Sequence, residues 1–116
     1  MNRIDAKFQS LRQKQESAFI PYLCGADPNL EVTRQLILAL DQVGTDIIEL
    51  GVPFSDPIAD GPTIQKASER ALESKVTLNQ LLDLVTELRR ETEIPIVLMG
   101  YYNPIFFMGT EPFFIK

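Results

Sequence analysis

Continuous apolar runs alternate along this chain with stretches in which apolar residues recur every three or four positions. The first helical spacing spans residues 3 to 14, where Ile4, Phe8 and Leu11 fall at i, i+4 and i+7 among charged residues. Residues 18 to 24, AFIPYLC, are the first continuous run and predict a strand. Asp27, Pro28 and Asn29 then make a turn that can open a helix, since Asp or Asn caps a helix and Pro suits its first turn. The stripe Val32, Leu36, Ala39, Leu40 and Val43 follows, and Gly44 stops it. A second strand is predicted from Ile47, Ile48, Leu50 and Val52, closed by Pro53.

Residues 63 to 74 return to helical spacing, with Ile64, Ala67, Ala71 and Leu72 on one side. Thr77 and Gln80 have the spacing of a capping box, opening a helix whose apolar face is Leu78, Leu81, Leu82, Val85 and Leu88. Arg89 and Arg90 in its last turn suit the negative end of the helix dipole. Residues 94 to 100, IPIVLMG, predict a third strand, Tyr101 to Pro104 a loop, and residues 109 to 114 the start of a last helix. Apolar strands separated by amphipathic helices imply parallel βαβ units, built either as a doubly wound open sheet or as a (β/α)8 barrel. No Gly-rich turn follows the first strand, which disfavours a dinucleotide fold. Polar residues instead collect after the strands' C-terminal ends, at Asp27, at Asp56 and Asp60, and at Tyr101 and Asn103, where a barrel builds its active site. A barrel takes roughly 200 residues or more. The reading is therefore the N-terminal portion of a (β/α)8 TIM barrel, about three of its eight strands, with residues 1 to 116 as one incomplete domain. The plainer alternative is a complete small α/β domain, which would leave both sheet edges open.

One residue breaks the apolar character of the central run. Glu49 places a carboxylate inside a predicted strand, where burial costs several kcal/mol or enforces protonation, on the order of known desolvation penalties. The loop after the strand adds Asp60 at the same end, and two acids in different surroundings can take two proton-transfer roles. Taken singly, each has an ordinary explanation. A strand Glu can sit at a sheet edge or pair with a lysine, and Asp before Gly61 is a common turn pairing.

Composition removes other chemistries. The chain has no histidine, so neither a Ser-His or Cys-His mechanism nor a histidine metal site can come from it. Its net charge of -5, with no basic run longer than Arg89-Arg90, argues against nucleic acid as a partner. Cys24 is the one cysteine, which excludes a disulfide framework and suits a reducing compartment. No apolar run approaches the ~20 residues needed to span a bilayer. The N-terminal residues lack the apolar core of a secretory signal.

The run from Glu49 to Pro62, ELGVPFSDPIADGP, resembles the diagnostic motif of the tryptophan synthase alpha subunit family. The likeness extends to Ile64-Gln65, to Phe19-Ile20-Pro21 and to Tyr101-Tyr102-Asn103-Pro104. It implies a (β/α)8 barrel that cleaves indole-3-glycerol phosphate to indole and glyceraldehyde 3-phosphate, a retro-aldol lyase step in tryptophan biosynthesis. Carried over position by position, it makes Glu49 the general acid and base and Asp60 the carboxylate that holds the indole N–H and opposes the developing positive charge. Tyr22, Ile64 and Tyr101 become pocket walls. Pro53, Asp56, Pro57 and Asn103 become contacts to a beta subunit in an alpha2beta2 tetramer. No metal or cofactor is implied for this chain, and pyridoxal phosphate is expected in the beta subunit. The family's phosphate-binding loops and mobile lid follow later strands, so these 116 residues alone are expected to be inactive. Two positions depart from the common family pattern: Ala26 stands before Asp27-Pro28 where Gly is usual, and Tyr22 stands where Phe is frequent. The terminal pattern is similar to cyanobacterial and plastid members, which leaves bacterial cytoplasm and plastid stroma as expected compartments. A non-catalytic piece, stable only as an oligomer or on a partner, is the reading from a different class.

Overall fold

The computed structural model describes residues 1 to 116. Three strands, β1 (Tyr22–Cys24), β2 (Ile48–Gly51) and β3 (Ile96–Met99), pair in parallel in the order β1-β2-β3. Six helices accompany them: α1 (Arg3–Lys14), α2 (Leu30–Gln42), α3 (Pro62–Glu73), α4 (Leu78–Leu88), α5 (Tyr102–Met108) and α6 (Thr110–Ile115). The predicted βαβ order holds, including the extra helix between the second strand and the third.

Two strands begin later than the apolar runs do, and proline is the reason. Extended pairing with β2 starts at Phe19, whose carbonyl accepts from the backbone N–H of Asp46 at 3.2 Å, and Pro21 accepts from Glu49 at 3.0 Å. Pro21 has no N–H to return, so a full ladder begins only at Tyr22. Pro95 acts likewise before β3, accepting from Ile48 at 2.9 Å. Asn29 caps α2, accepting from the Val32 N–H at 2.9 Å, while Pro28 lies outside the helix rather than in its first turn. The Thr77–Gln80 capping box is present in both directions, at 2.9 and 3.1 Å. Ala26 takes the left-handed conformation, φ +65°, with its N–H donated to Thr33 Oγ1 at 2.9 Å, so the left-handed position of the turn after β1 is filled without glycine.

Tyr101 to Pro104 is a correction. The expected loop is the start of α5, with Tyr101 at the N-cap. Pro104 occupies the third helical position, where a backbone N–H would have no intrahelical acceptor in any case. Pro112 repeats the arrangement in α6. Arg89 and Arg90 lie just past the end of α4. Arg89 Nη1 donates to the Ile94 carbonyl at 2.7 Å and braces the entry to β3.

The core lies on one side of the sheet. Ile48 and Leu50 are fully buried there with Ile37 of α2, Leu84 and Leu88 of α4, and Ile94. The face of α4 that is buried is Leu81, Leu84 and Leu88; Leu78 and Leu82 are half-buried, so the helix is rotated slightly from the expected stripe. α3 packs instead against β1, burying Ala67, Ser68 and Ala71. The opposite sheet face is bare. Val97 and Met99 are 39% and 44% exposed on the outermost strand, and Phe106 and Phe107 stand out on α5. No helix is long and apolar enough to cross a membrane.

Apolar surface of this extent drives association. The 116-residue chain is expected to bind a hydrophobic dye and to sediment with a concentration-dependent mass. A compact, dye-free monomer with a sharp unfolding transition would contradict that expectation.

Candidate functional site

The period of two along β2 decides where Glu49 goes. Ile48 and Leu50 point under the helices, so Glu49 must project from the bare face. Its register partners are Tyr22 on β1 and Val97 on β3, which therefore stand beside it on that face. The strand is central rather than at an edge, and none of the six ion pairs includes Glu49. Both ordinary explanations of a strand glutamate thus fail. The side chain is half-buried, less enclosed than a continuous apolar strand suggests, because only one face of the sheet is covered.

The loop of residues 53 to 61 leaves the C-terminal end of β2 and is fastened at two places. On one flank the Ala59 N–H donates to Tyr101 Oη at 2.9 Å, while the Phe54 ring packs on the Tyr101 ring with centroids 5.3 Å apart. On the other, Gln65 Nε2 donates to the Asp60 carbonyl at 2.9 Å and to the Pro57 carbonyl at 3.3 Å. Within the loop the Asp60 N–H donates to Pro57 O at 3.1 Å. Asp60 is half-buried and takes part in no ion pair.

Tyr22 lies within electrostatic reach of both carboxylates. Its phenol is pushed up to about 12, first by burial and then by its neighbours, with Cys24, Asp60 and Glu49 all disfavouring a phenolate. Asp60 and Glu49 therefore both act on the same hydroxyl from its surroundings. The phenol has room because residue 51 is glycine: a Cβ there would lie 2.1 Å from Tyr22 Oη and 2.7 Å from its Cζ. Ile64, on the first turn of α3, lines with Tyr22, Cys24 and Ala67 a cavity of ≈ 240 Å³. Cys24 is half-buried there, its thiol pushed up by burial, with Sγ 4.0 Å from Ser68 Oγ.

Of the residues singled out from the sequence, Tyr22 stands beside Glu49 in the ladder, feels the charge of Asp60, and shares a cavity with Ile64. Tyr101 lies one strand over, as a strut under the Asp60 loop. Asp56 is exposed, its carboxylate accepting from Ser55 Oγ at 2.8 Å, and Asn103 is exposed on α5. Pro57 is half-buried within the loop. Pro53 is buried, which takes it off the surface where a partner contact was expected. The two loop fastenings were not anticipated. The one local signal was an amide four residues after Gly61, close enough to reach back over the helix start as a capping-box side chain does.

Comparison with known proteins gives one consistent picture. The family model described as tryptophan synthase alpha chain matches residues 8–116. The tryptophan synthase alpha chain of Geotalea uraniireducens is 54% identical over 113 residues, covering 97% of this chain and 42% of the relative. The crystal structure of tryptophan synthase subunit alpha from Legionella pneumophila superposes with a TM-score of 0.95 at 42% identity, covering 97% of this chain and 44% of that one. The tryptophan synthase complex from Pyrococcus furiosus contains a chain that matches with a TM-score of 0.78 at 48% identity, covering 84% of this chain and 40% of that one. The chain thus spans less than half the length of the relatives it matches.

Two outcomes follow from the site's geometry. The Tyr22 phenol is raised in the folded state, so it keeps its proton between pH 10 and about 12 while the unfolded chain loses it. Stability should be unaffected by this group below pH 10 and fall across that window, and Tyr22→Phe should flatten the fall in the far-ultraviolet circular dichroism signal followed against pH. Separately, Tyr101→Phe keeps the ring but removes the acceptor of the Ala59 N–H. A net hydrogen bond of about 1 kcal/mol corresponds to roughly fivefold faster amide exchange at Ala59, readable by NMR, with amides of β2 unchanged. Equal exchange in both proteins would mean that the bond does not hold the loop.

Proposed function

Since the chain belongs to the tryptophan synthase alpha chain family, we propose that it carries the two carboxylates of a lyase that cleaves indole-3-glycerol phosphate to indole and glyceraldehyde 3-phosphate. Its three strands are the N-terminal portion of a (β/α)8 barrel. The observation that carries the proposal is Glu49: an unpaired acid on the bare face of a central strand, beside the loop that bears Asp60.

The chemistry assigns each acid a task. Breaking the bond between indole C3 and the glycerol chain requires C3 to gain a proton and the adjacent hydroxyl to lose one. Glu49, protonated, delivers the proton to C3, and the ring nitrogen becomes positive. Asp60 accepts a hydrogen bond from the indole N–H and opposes that charge. The Glu49 carboxylate then takes the hydroxyl proton as the carbon–carbon bond breaks, its electrons returning to the ring. One proton enters and one leaves, so Glu49 ends as it began and one group serves as both acid and base. Tyr22 stands beside Glu49 in the ladder, Ile64 is assigned to the pocket wall, and Tyr101 supports the Asp60 loop.

The reaction so written draws on no metal or cofactor held by this chain. Asp56, Pro57 and Asn103 are assigned to contact with a beta subunit, the pyridoxal phosphate enzyme of an alpha2beta2 tetramer. Asp56 and Asn103 are exposed in support of this. The proposed setting is the bacterial cytoplasm, in keeping with the bacterial relatives; plastid stroma is the counterpart in a photosynthetic eukaryote.

A chimera tests the reading, with residues 1 to 116 replacing the matching segment of the Geotalea uraniireducens relative. The folded chimera should release indole. Glu49→Gln should lower turnover by ~10²–10⁴-fold with substrate still bound, because the amide cannot exchange a proton. Asp60→Asn should cost ~10²–10³-fold, because the charge opposing the ring cation is lost. Wild-type turnover in Glu49→Gln would make the strand glutamate structural and end the proposal.

A further inference from the structure

We propose that Gln65 is a positioning residue that sets where the Asp60 carboxylate stands, an inference that rests on the retro-aldol reading above. Its amide nitrogen has two protons and directs both to the loop, one to the Asp60 carbonyl at 2.9 Å and one to the Pro57 carbonyl at 3.3 Å. The same Pro57 carbonyl also accepts from the Asp60 N–H at 3.1 Å. The backbone on both sides of the Asp60 side chain is therefore tied, directly or through Pro57, to one amide group.

That amide belongs to a rigid element. Ala67, Ser68 and Ala71 bury α3 against β1. Further along the helix, Arg70 holds Asp27 in the turn after β1 with two parallel bonds, Nε to Oδ1 at 2.9 Å and Nη2 to Oδ2 at 3.0 Å. The chain of restraint runs from β1 through α3 and Gln65 to Asp60, and β1 is also the strand paired residue for residue with the one that carries Glu49. The two acids thus share a frame, although one lies on a strand and the other on a loop. A loop carboxylate gains accuracy of placement from such support, and small misplacements of a reacting group are costly in rate.

The general alternative is that Gln65 merely stabilises the fold. A double-mutant cycle separates the two in the full-length chimera, because a positioning residue acts through Asp60 and a stabilising one does not. Gln65→Met keeps the side-chain length and removes both donors. It should lower kcat about tenfold and change KM by less than about threefold, since the charge on the ring nitrogen that Asp60 opposes develops in the transition state. In an Asp60→Asn background the same substitution should change kcat by less than about twofold. Gln65→Glu, of equal length and with no N–H to offer, reads the same cycle should the methionine variant not fold. An equal loss of kcat in both backgrounds, or no loss in the first, overturns the positioning role while leaving the retro-aldol reading intact. Wild-type kcat in Asp60→Asn alone overturns that reading and this inference with it.

Discussion

Ile48 and Leu50 point one way from the central strand, and Glu49 points the other. The rest of the structure depends on that alternation. Helices α2 and α4 cover a single face of the sheet, and the residues that seal it are the two on either side of the glutamate. Burying a leucine or isoleucine side chain contributes about 1.5–3 kcal/mol, so Ile48 and Leu50 fix the strand's facing far more firmly than Glu49 could oppose it. A slip of one residue would bury the carboxylate under the helices and expose both apolar side chains. The fold holds the acid out on the face that carries Tyr22 and Val97, and hydrophobic burial elsewhere stabilises that placement.

Asp60 is placed by different means. No packed element carries it. Its position comes from the Gln65 bond to its own carbonyl, the Ala59 bond to Tyr101 and the packing of Phe54 on the Tyr101 ring, each polar bond about as strong as a single hydrogen bond. The pair of acids therefore combines one held by the core with one held by a few replaceable bonds. The loop is the part of the site more open to adjustment, and its outer side carries the exposed Asp56.

How much of this could be read from the chain follows the distance between interacting residues. The Thr77–Gln80 box was legible because both partners lie within one turn and need only a helix to meet. Parallel βαβ order was legible from the change between continuous and helical apolar spacing. Glu49 and Asp60 were legible as a strand acid and a loop acid, and the motif around them supplied their expected roles. Strand ends were misjudged where proline extends an apolar run without donating to the ladder, at Pro21 and Pro95. Tyr101 to Pro104 was misjudged because Pro104 reads as a breaker unless it falls in a first turn, which depends on where the helix starts. The bond between Ala59 and Tyr101 joins residues 42 apart and exists only because β2 and β3 are neighbours. No local pattern encodes it.

Tyr22 and Gly51 have a consequence for anyone who wishes to reshape this site. The phenol occupies the space where a side chain on residue 51 would begin. With an aromatic ring at 22, residue 51 accepts nothing larger than hydrogen without displacing that ring, since even the ring carbon Cζ would be only 2.7 Å from a new Cβ. The space beside Glu49 is thus dimensioned from the neighbouring strand and not from its own. Position 22 sets the width of that space on its β1 side, and a library that varies residue 51 while leaving residue 22 fixed would sample collisions instead of new specificities.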